Sequence, residues 1–180
     1  RTSIRGQTET VMDDVNALIS TYLQQERTII LAVIPANVDV ATVDILERAK
    51  KEDKNGDRTI GVLTKPDLVD RGAEEEVLAV LKNERKPLQL GYVMVKNRSQ
   101  EQINDDVTLD VAKREELGYF QAHKVFNKAD RERLGVDNLT TKLTAILVTR
   151  IKHTLPNLKK EIQGQLVDTK KELESLGSAP

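Results

Sequence analysis

The sequence predicts an α/β fold: a parallel sheet of three strands with flanking helices, followed by α-helical bundle segments. Short apolar runs rich in β-branched residues recur at about 28–34, 59–63 and 91–95, with helical patterns between them. That alternation is the signature of right-handed βαβ crossovers. From Leu109 onward no convincing strand pattern occurs, and apolar residues recur at helical spacing.

The first helix is predicted from Val11, Met12, Val15, Leu18, Ile19, Tyr22 and Leu23, which fall on one helical face. Thr28 to Ile34 is a continuous apolar run of the kind expected for a strand buried on both faces, ended by Pro35. Val43, Ile45, Leu46 and Ala49 predict a second helix from about Ala41 to Lys51, and Asp53 to Asp57 a polar turn. Thr59 to Leu63 is the second strand, Glu74 to Leu81 the third helix, and Tyr92 to Val95 the third strand. Further on, Leu139, Leu143, Ile146, Leu147 and Ile151 share a helical face. Pro156 suits the first turn of a new helix, whose Ile162, Leu166, Thr169, Leu173 and Leu176 are spaced for lengthwise packing. A boundary is therefore expected near Leu155-Pro156, giving regions 1–155 and 156–180.

Composition narrows the function. A chain of 180 residues is long enough to bury a core, and 28 Lys+Arg against 29 Asp+Glu leave no nucleic-acid footprint. Without cysteine, and with only His123 and His153, neither a disulfide framework nor a thiolate or histidine metal cluster is expected. The longest apolar run, Ile29 to Ala36, is far short of the roughly 20 residues of a membrane-spanning helix, so the chain reads as soluble. Residue 1 is Arg1 and the first methionine is Met12, within a helical pattern, so the natural start is expected to lie upstream.

The candidate site lies at the strand ends. In open parallel sheets ligands bind beyond the carboxyl ends of the strands, where loops and helix N-termini converge. Thr64-Lys65-Pro66-Asp67 follows the second strand there. An ionised aspartate offers two coplanar acceptors that match the ring N–H and exocyclic amino group of guanine, a donor pair adenine lacks. Lys65 can lay its alkyl stem along the base and aim its ammonium at the sugar ring oxygen. By chance such a tetrapeptide arises in roughly one chain in twenty of this length, so a second loop matters. Lys96 to Gln100 follows the third strand directly; Asn97 and Arg98 can cover base and ribose from the other side, and Gln100 can bond the sugar hydroxyls. The bland reading of each loop is a solvated turn, but the two together favour a nucleotide.

Over nearly its whole length the chain resembles the dynamin superfamily of large GTPases, most closely its Mx-like branch. The resemblance rests on "ILAVIPANVDVAT" (Ile30 to Thr42), "GDRTIGVLTKPDLVDRG" (Gly56 to Gly72), "GYVMVKNRSQ" (Gly91 to Gln100), "YFQAH" (Tyr119 to His123) and "HTLPNLKKEI" (His153 to Ile162). It implies a partial P-loop-type GTPase domain in which Thr64, Lys65 and Asp67 form the guanine-specificity motif and Asn97, Arg98 and Gln100 belong to the last nucleotide-binding loop. It further implies that Asp39 and Asp70 lie near a face through which two GTPase domains dimerise, and that Pro156 is a hinge. GTP with Mg2+, GTP hydrolysis, homodimers, and homo-oligomers formed through the helical region follow from the same resemblance. So does a cytoplasmic location, with membrane or microtubule association left to segments outside this sequence.

Phosphate chemistry is not encoded here. A GTPase needs backbone amides and a lysine around the phosphates, usually in G-x-x-x-x-G-K-[ST], yet no Gly-Lys pair occurs in the chain. Asp53-Lys54-Asn55-Gly56 matches D-x-x-G but precedes a strand and reads as a turn. The phosphate loop and magnesium ligands are accordingly expected upstream of Arg1, the residues here are expected to bind rather than catalyse, and the chain alone is expected to be inactive. Two rivals stand beside this reading. A phospho-receiver domain needs an acidic pair after the first strand, where only Asp39 lies, several residues late; a purely structural self-assembly module would use the helices and not the loops.

Overall fold

The computed structural model describes residues 9–40 and 44–177. In chain order it contains α1 (Glu9–Leu23), β1 (Ile30–Pro35), α2 (Asp44–Glu52), β2 (Thr59–Thr64), α3 (Glu74–Leu81), β3 (Tyr92–Met94), α4 (Gln100–Asn104), α5 (Leu109–Ala122) and α6 (Val136–Ser175). Short 3-10 turns stand at Pro66–Leu68, Phe126–Lys128 and Arg131–Arg133. The expected start of the second helix, Ala41 to Val43, lies outside the described residues.

The sheet is parallel with strand order β1-β2-β3, as the βαβ spacing predicts. Register runs from Ile30 opposite Thr59 to Pro35 opposite Thr64, and from Gly61 opposite Tyr92 to Leu63 opposite Met94. As the central strand, β2 is buried along Thr59 to Leu63. Ala32, Ile34, Leu46, Leu63, Leu78, Leu81, Tyr92, Met94, Phe120 and Phe126 form one core that joins α2, α3 and α5 to the sheet. No aromatic side chain but Tyr92, Phe120 and Phe126 is deeply buried among the described residues, so the core is chiefly aliphatic.

Arg58, 4% exposed, organises the opposite end of the sheet. Its guanidinium donates to the carbonyls of Leu23 and Glu52 at 2.7 Å each, and to those of Gln25 and Thr28 at 3.2 and 3.3 Å. It thus closes the C-terminal ends of α1 and α2, where carbonyls lack helical partners and the dipole favours a cation. Buried Asp53 accepts from the Arg58 N–H and the Thr59 hydroxyl, so Asp53 to Gly56 is the turn that leads into β2.

Two expectations need correction. β1 is buried on one face only: Ile30, Ala32 and Ile34 point into the core, whereas Leu31 and Val33 are 40% and 50% exposed. Among the described residues nothing covers that face, and no strand pairs with the outer edge of β1. Nor does a new helix begin at Pro156: α6 runs unbroken through it for 40 residues. Pro156 removes one N–H, and its exposed position lets water take the freed carbonyl, so the helical register continues on both sides. Compact units divide at Thr141 and Lys142, inside α6. The second unit is helical and carries exposed Leu147, Ile151, Leu155, Ile162, Leu166 and Leu173.

Candidate functional site

The parallel register brings both candidate loops out of the same end of the sheet. The Ala36 N–H donates to the Thr64 carbonyl at 2.7 Å and the Val95 N–H to the Leu63 carbonyl at 2.8 Å, so β1, β2 and β3 end side by side. Thr64 is the last residue of β2. Lys65 then adopts a left-handed backbone, φ 56 and ψ 48, immediately before Pro66. A non-glycine residue pays about 1–2 kcal/mol for that conformation, and such strain concentrates where a side chain must be aimed. Buried Pro66 anchors the following 3-10 turn, which holds exposed Asp67. The Lys65 carbonyl accepts the Leu68 N–H at 3.1 Å, but neither the Lys65 nor the Asp67 side chain is hydrogen-bonded or ion-paired to another of the described residues, which leaves the ammonium's donors and the carboxylate's acceptors facing outward.

Beyond β3 the loop is bounded by a capping box: Ser99 Oγ accepts from the Gln102 N–H at 3.2 Å, and Gln102 Oε1 accepts from the Ser99 N–H at 2.8 Å. Asn97 is exposed at its tip. Arg98 donates through Nη1 to the Val107 carbonyl at 2.7 Å, tying the loop to the segment that enters α5. Gln100 lies in the first turn of α4 and donates to Asn104 Oδ1 at 3.0 Å, so it stands on the helix and not on the loop tip. Asp39 and Asp70, both exposed, line one cavity of about 420 Å³ beyond the ends of β1 and β2, together with Ala36, Val69 and Arg85.

Two residues of α5 outside the strand-end loops complete the neighbourhood: Tyr119, the first residue of the YFQAH block, and Glu116. Tyr119 lies under both loops: the Lys96 ammonium sits 5.7 Å from its ring centroid, and burial first, then the charges of Asp67 and Glu74, push its phenol up to about 12. Its ring also leans on Phe120 and His123, each 5.4 Å away. His123 closes α5 by accepting the Val125 and Phe126 N–H groups at Nδ1, at 3.2 Å each, and stacks on Phe126 at 4.2 Å. The second residue is Glu116, 4% exposed, whose carboxylate accepts from the Lys96 and Val136 N–H groups. The signal for it was a charged residue on the face shared by Ala112 and Phe120. Among the described residues no cluster of His, Asp and Glu could hold a metal ion, and no helix is long and apolar enough to cross a membrane.

A parallel α/β layer with polar loops gathered at the carboxyl ends of its strands, continued by one long helix, defines the class. Comparison with known proteins narrows it: the dynamin-family model matches residues 3–66 and the dynamin central-region model matches residues 76–180. The chain belongs to the dynamin family. It is 42% identical to interferon-induced GTP-binding protein MxB of Danio rerio, covering 100% of this chain and 29% of that protein. Identity is 41% to MxA of the same fish, with 100% and 28% covered, and 40% to the Mx protein of Siniperca chuatsi, with 100% and 29% covered. The chain thus spans less than a third of the length of these relatives.

Proposed function

We propose that this chain supplies the guanine-recognising part of a dynamin-like GTPase. The observation that carries the reading is the pair Lys65 and Asp67, exposed and unengaged at the carboxyl end of β2, with the strained Lys65 backbone aiming one of them. Asp67 accepts the two guanine donors, Lys65 lies along the base, and Thr64 sets the start of the turn. Asn97 covers the opposite side of base and ribose. Arg98 keeps donors beyond the one given to Val107, and Gln100 reaches the sugar hydroxyls from the first turn of α4. That the relatives are named as GTP-binding proteins supports the same ligand.

No described cluster fits a magnesium ion, so no hydrolytic step is assigned to these residues. GTP hydrolysis, with its Mg2+, belongs in this reading to the whole protein. Asp39 and Asp70, facing one cavity, serve contact between two such domains, Pro156 serves as a hinge between the 1–155 and 156–180 regions, and the exposed apolar positions of α6 serve self-assembly. Those α6 positions also favour the second reading, a self-assembly module whose loops bind nothing. One substitution separates the two. In the whole protein Asp67→Asn exchanges an acceptor for a donor, so nucleotide preference should move from GTP toward xanthosine triphosphate, whose base accepts where guanine donates. Competition binding with the two nucleotides reads the shift; unchanged GTP preference rejects the guanine assignment.

A further inference from the structure

We infer that Glu116 is a positioning residue for the nucleotide loop, fixing that loop to the first turn of α6; the inference rests on the nucleotide reading above. The two oxygens of its carboxylate serve two different elements. Oε1 accepts the Lys96 N–H at 2.7 Å, and Oε2 accepts the Val136 N–H at 2.9 Å. Lys96 is the residue that carries the chain from β3 into Asn97 and Arg98, and Val136 is the first residue of α6.

Each amide needs this partner for a separate reason. Val136 is in the first turn of a helix, where no backbone carbonyl of the same helix can accept its N–H. Lys96 lies past the last paired residue of β3, beyond the sheet ladder. An ionised carboxylate with two acceptor oxygens satisfies both in one side chain, through charge-assisted bonds stronger than neutral ones. Gly135, beside the carboxylate, has φ +89, a backbone that favours glycine, and a Cβ there would lie 3.4 Å from Oε2, in ordinary van der Waals contact. The same two segments are zipped elsewhere: the Gly135 N–H donates to the Met94 carbonyl at 2.8 Å, Leu134 bridges to Met94, and one turn away on α5 Lys113 pairs with Asp137 at 2.7 Å.

Consequently the loop's position depends on where α6 begins. A cavity of about 370 Å³ lies beneath Lys96, Asn97 and Arg98, with Glu116 and Val136 in its wall. The Gly135–Met94 bond ties α6 to the end of β3, and the Glu116 carboxylate carries that tie one step further, to the first residue of the loop. A merely structural glutamate would influence stability alone; a positioning residue also influences how well the loop meets its ligand, because small displacements of binding groups weaken binding.

Steady-state GTP hydrolysis by the whole protein tests this with two substitutions. Glu116→Gln keeps the shape but replaces one acceptor oxygen with an NH2 group that faces an N–H donor. Val136→Pro removes the helix-side donor at a first-turn position, where proline's fixed φ is well accommodated, and its ring carbon, standing where the proton was, pushes the carboxylate off α6; it changes no residue of the loop. Both should raise KM for GTP roughly three- to tenfold while kcat at saturation stays within about twofold, the pattern of lost uniform binding. A wild-type KM in Val136→Pro overturns the proposal, as does a fall in thermal midpoint with KM unchanged in both variants. Should Glu116→Gln not fold, the Val136→Pro value decides alone. Asp67→Asn is measured alongside: if it shifts preference toward xanthosine triphosphate while the other two keep their KM, only the Glu116 inference fails, whereas an unchanged Asp67→Asn overturns the nucleotide reading and this inference with it.

Discussion

Burial raises the phenols of Tyr92 and Tyr119 from 10.0 to about 12 in each case, because water no longer solvates the phenolate. Tyr92 is fully enclosed and its hydroxyl donates to the Lys86 carbonyl at 2.6 Å. Tyr119 is half-buried, and the Asp67 and Glu74 charges add to its shift. Linkage gives the sign: the unfolded chain releases these protons near pH 10 and the folded chain near 12, so the folded state holds more protons in between. Their stabilising contribution is complete below pH 10 and is lost as pH rises through about 12. Phenolate absorbance during an alkaline titration, read against Tyr92→Phe and Tyr119→Phe, should show both ionising late. In Asp67→Asn the Tyr119 transition should move down by a minor part of its rise, since burial is the larger cause, and that of Tyr92 should stay. A Tyr119 transition indifferent to Asp67 would remove α5 from the base site.

At the scale of elements, the close pairing of β2 and β3 depends on one glycine. Gly61 stands opposite Tyr92, and a Cβ built on Gly61 would fall among the atoms of the Tyr92 ring. Gly61→Ala should therefore destabilise the protein by about 1–3 kcal/mol, the usual cost of overpacking a core. Gly118→Ala, on an open face of α5, should instead stabilise by about 0.5–1 kcal/mol. Paired urea denaturations check both signs; a neutral Gly61→Ala would mean that β3 can shift away from β2. Periodicity made α3 legible at both ends, Glu74 and Leu81, and put β2 within a residue of its limits. It failed at β1, since an unbroken apolar run says that residues avoid water, not which neighbours are available to cover them. It failed again at Pro156, because a proline with its freed carbonyl exposed can remain inside a long helix. Of the candidate site, the position of Thr64 to Asp67 and of Lys96 to Arg98 at adjacent strand ends was legible, because the strand pattern fixes where each loop leaves the sheet. Glu116 and Tyr119 were marked locally, by a charge on the apolar face of α5 and by the YFQAH block, but their contacts with those loops were not legible, since they join positions far apart in sequence.

Considered as a whole molecule, the chain leaves apolar surface exposed in three places. Leu31 and Val33 lie on the open face of β1, Val11, Val15, Leu18 and Tyr22 stand exposed along α1, and Leu147 to Leu173 follow one another along α6. The outer edge of β1 has no strand partner among the described residues, so its unpaired N–H and C=O groups form a template for another chain. Apolar patches of this extent seldom remain in water. The 180-residue chain studied alone should therefore self-associate in sedimentation velocity, with the apparent mass rising with concentration. Replacing Leu31 and Val33 together by lysine should reduce that association by charging the open face, whereas association unaffected by the pair would assign it to the α1 or α6 surface. The same chain should bind GTP more weakly than micromolar in a calorimetric titration, because the proposed base-recognising pair, Lys65 and Asp67, is not accompanied by any Gly-Lys pair to cradle the phosphates. Micromolar affinity would mean that Asp67, Lys65 and the loop held by Glu116 supply most of the binding free energy through base and ribose alone.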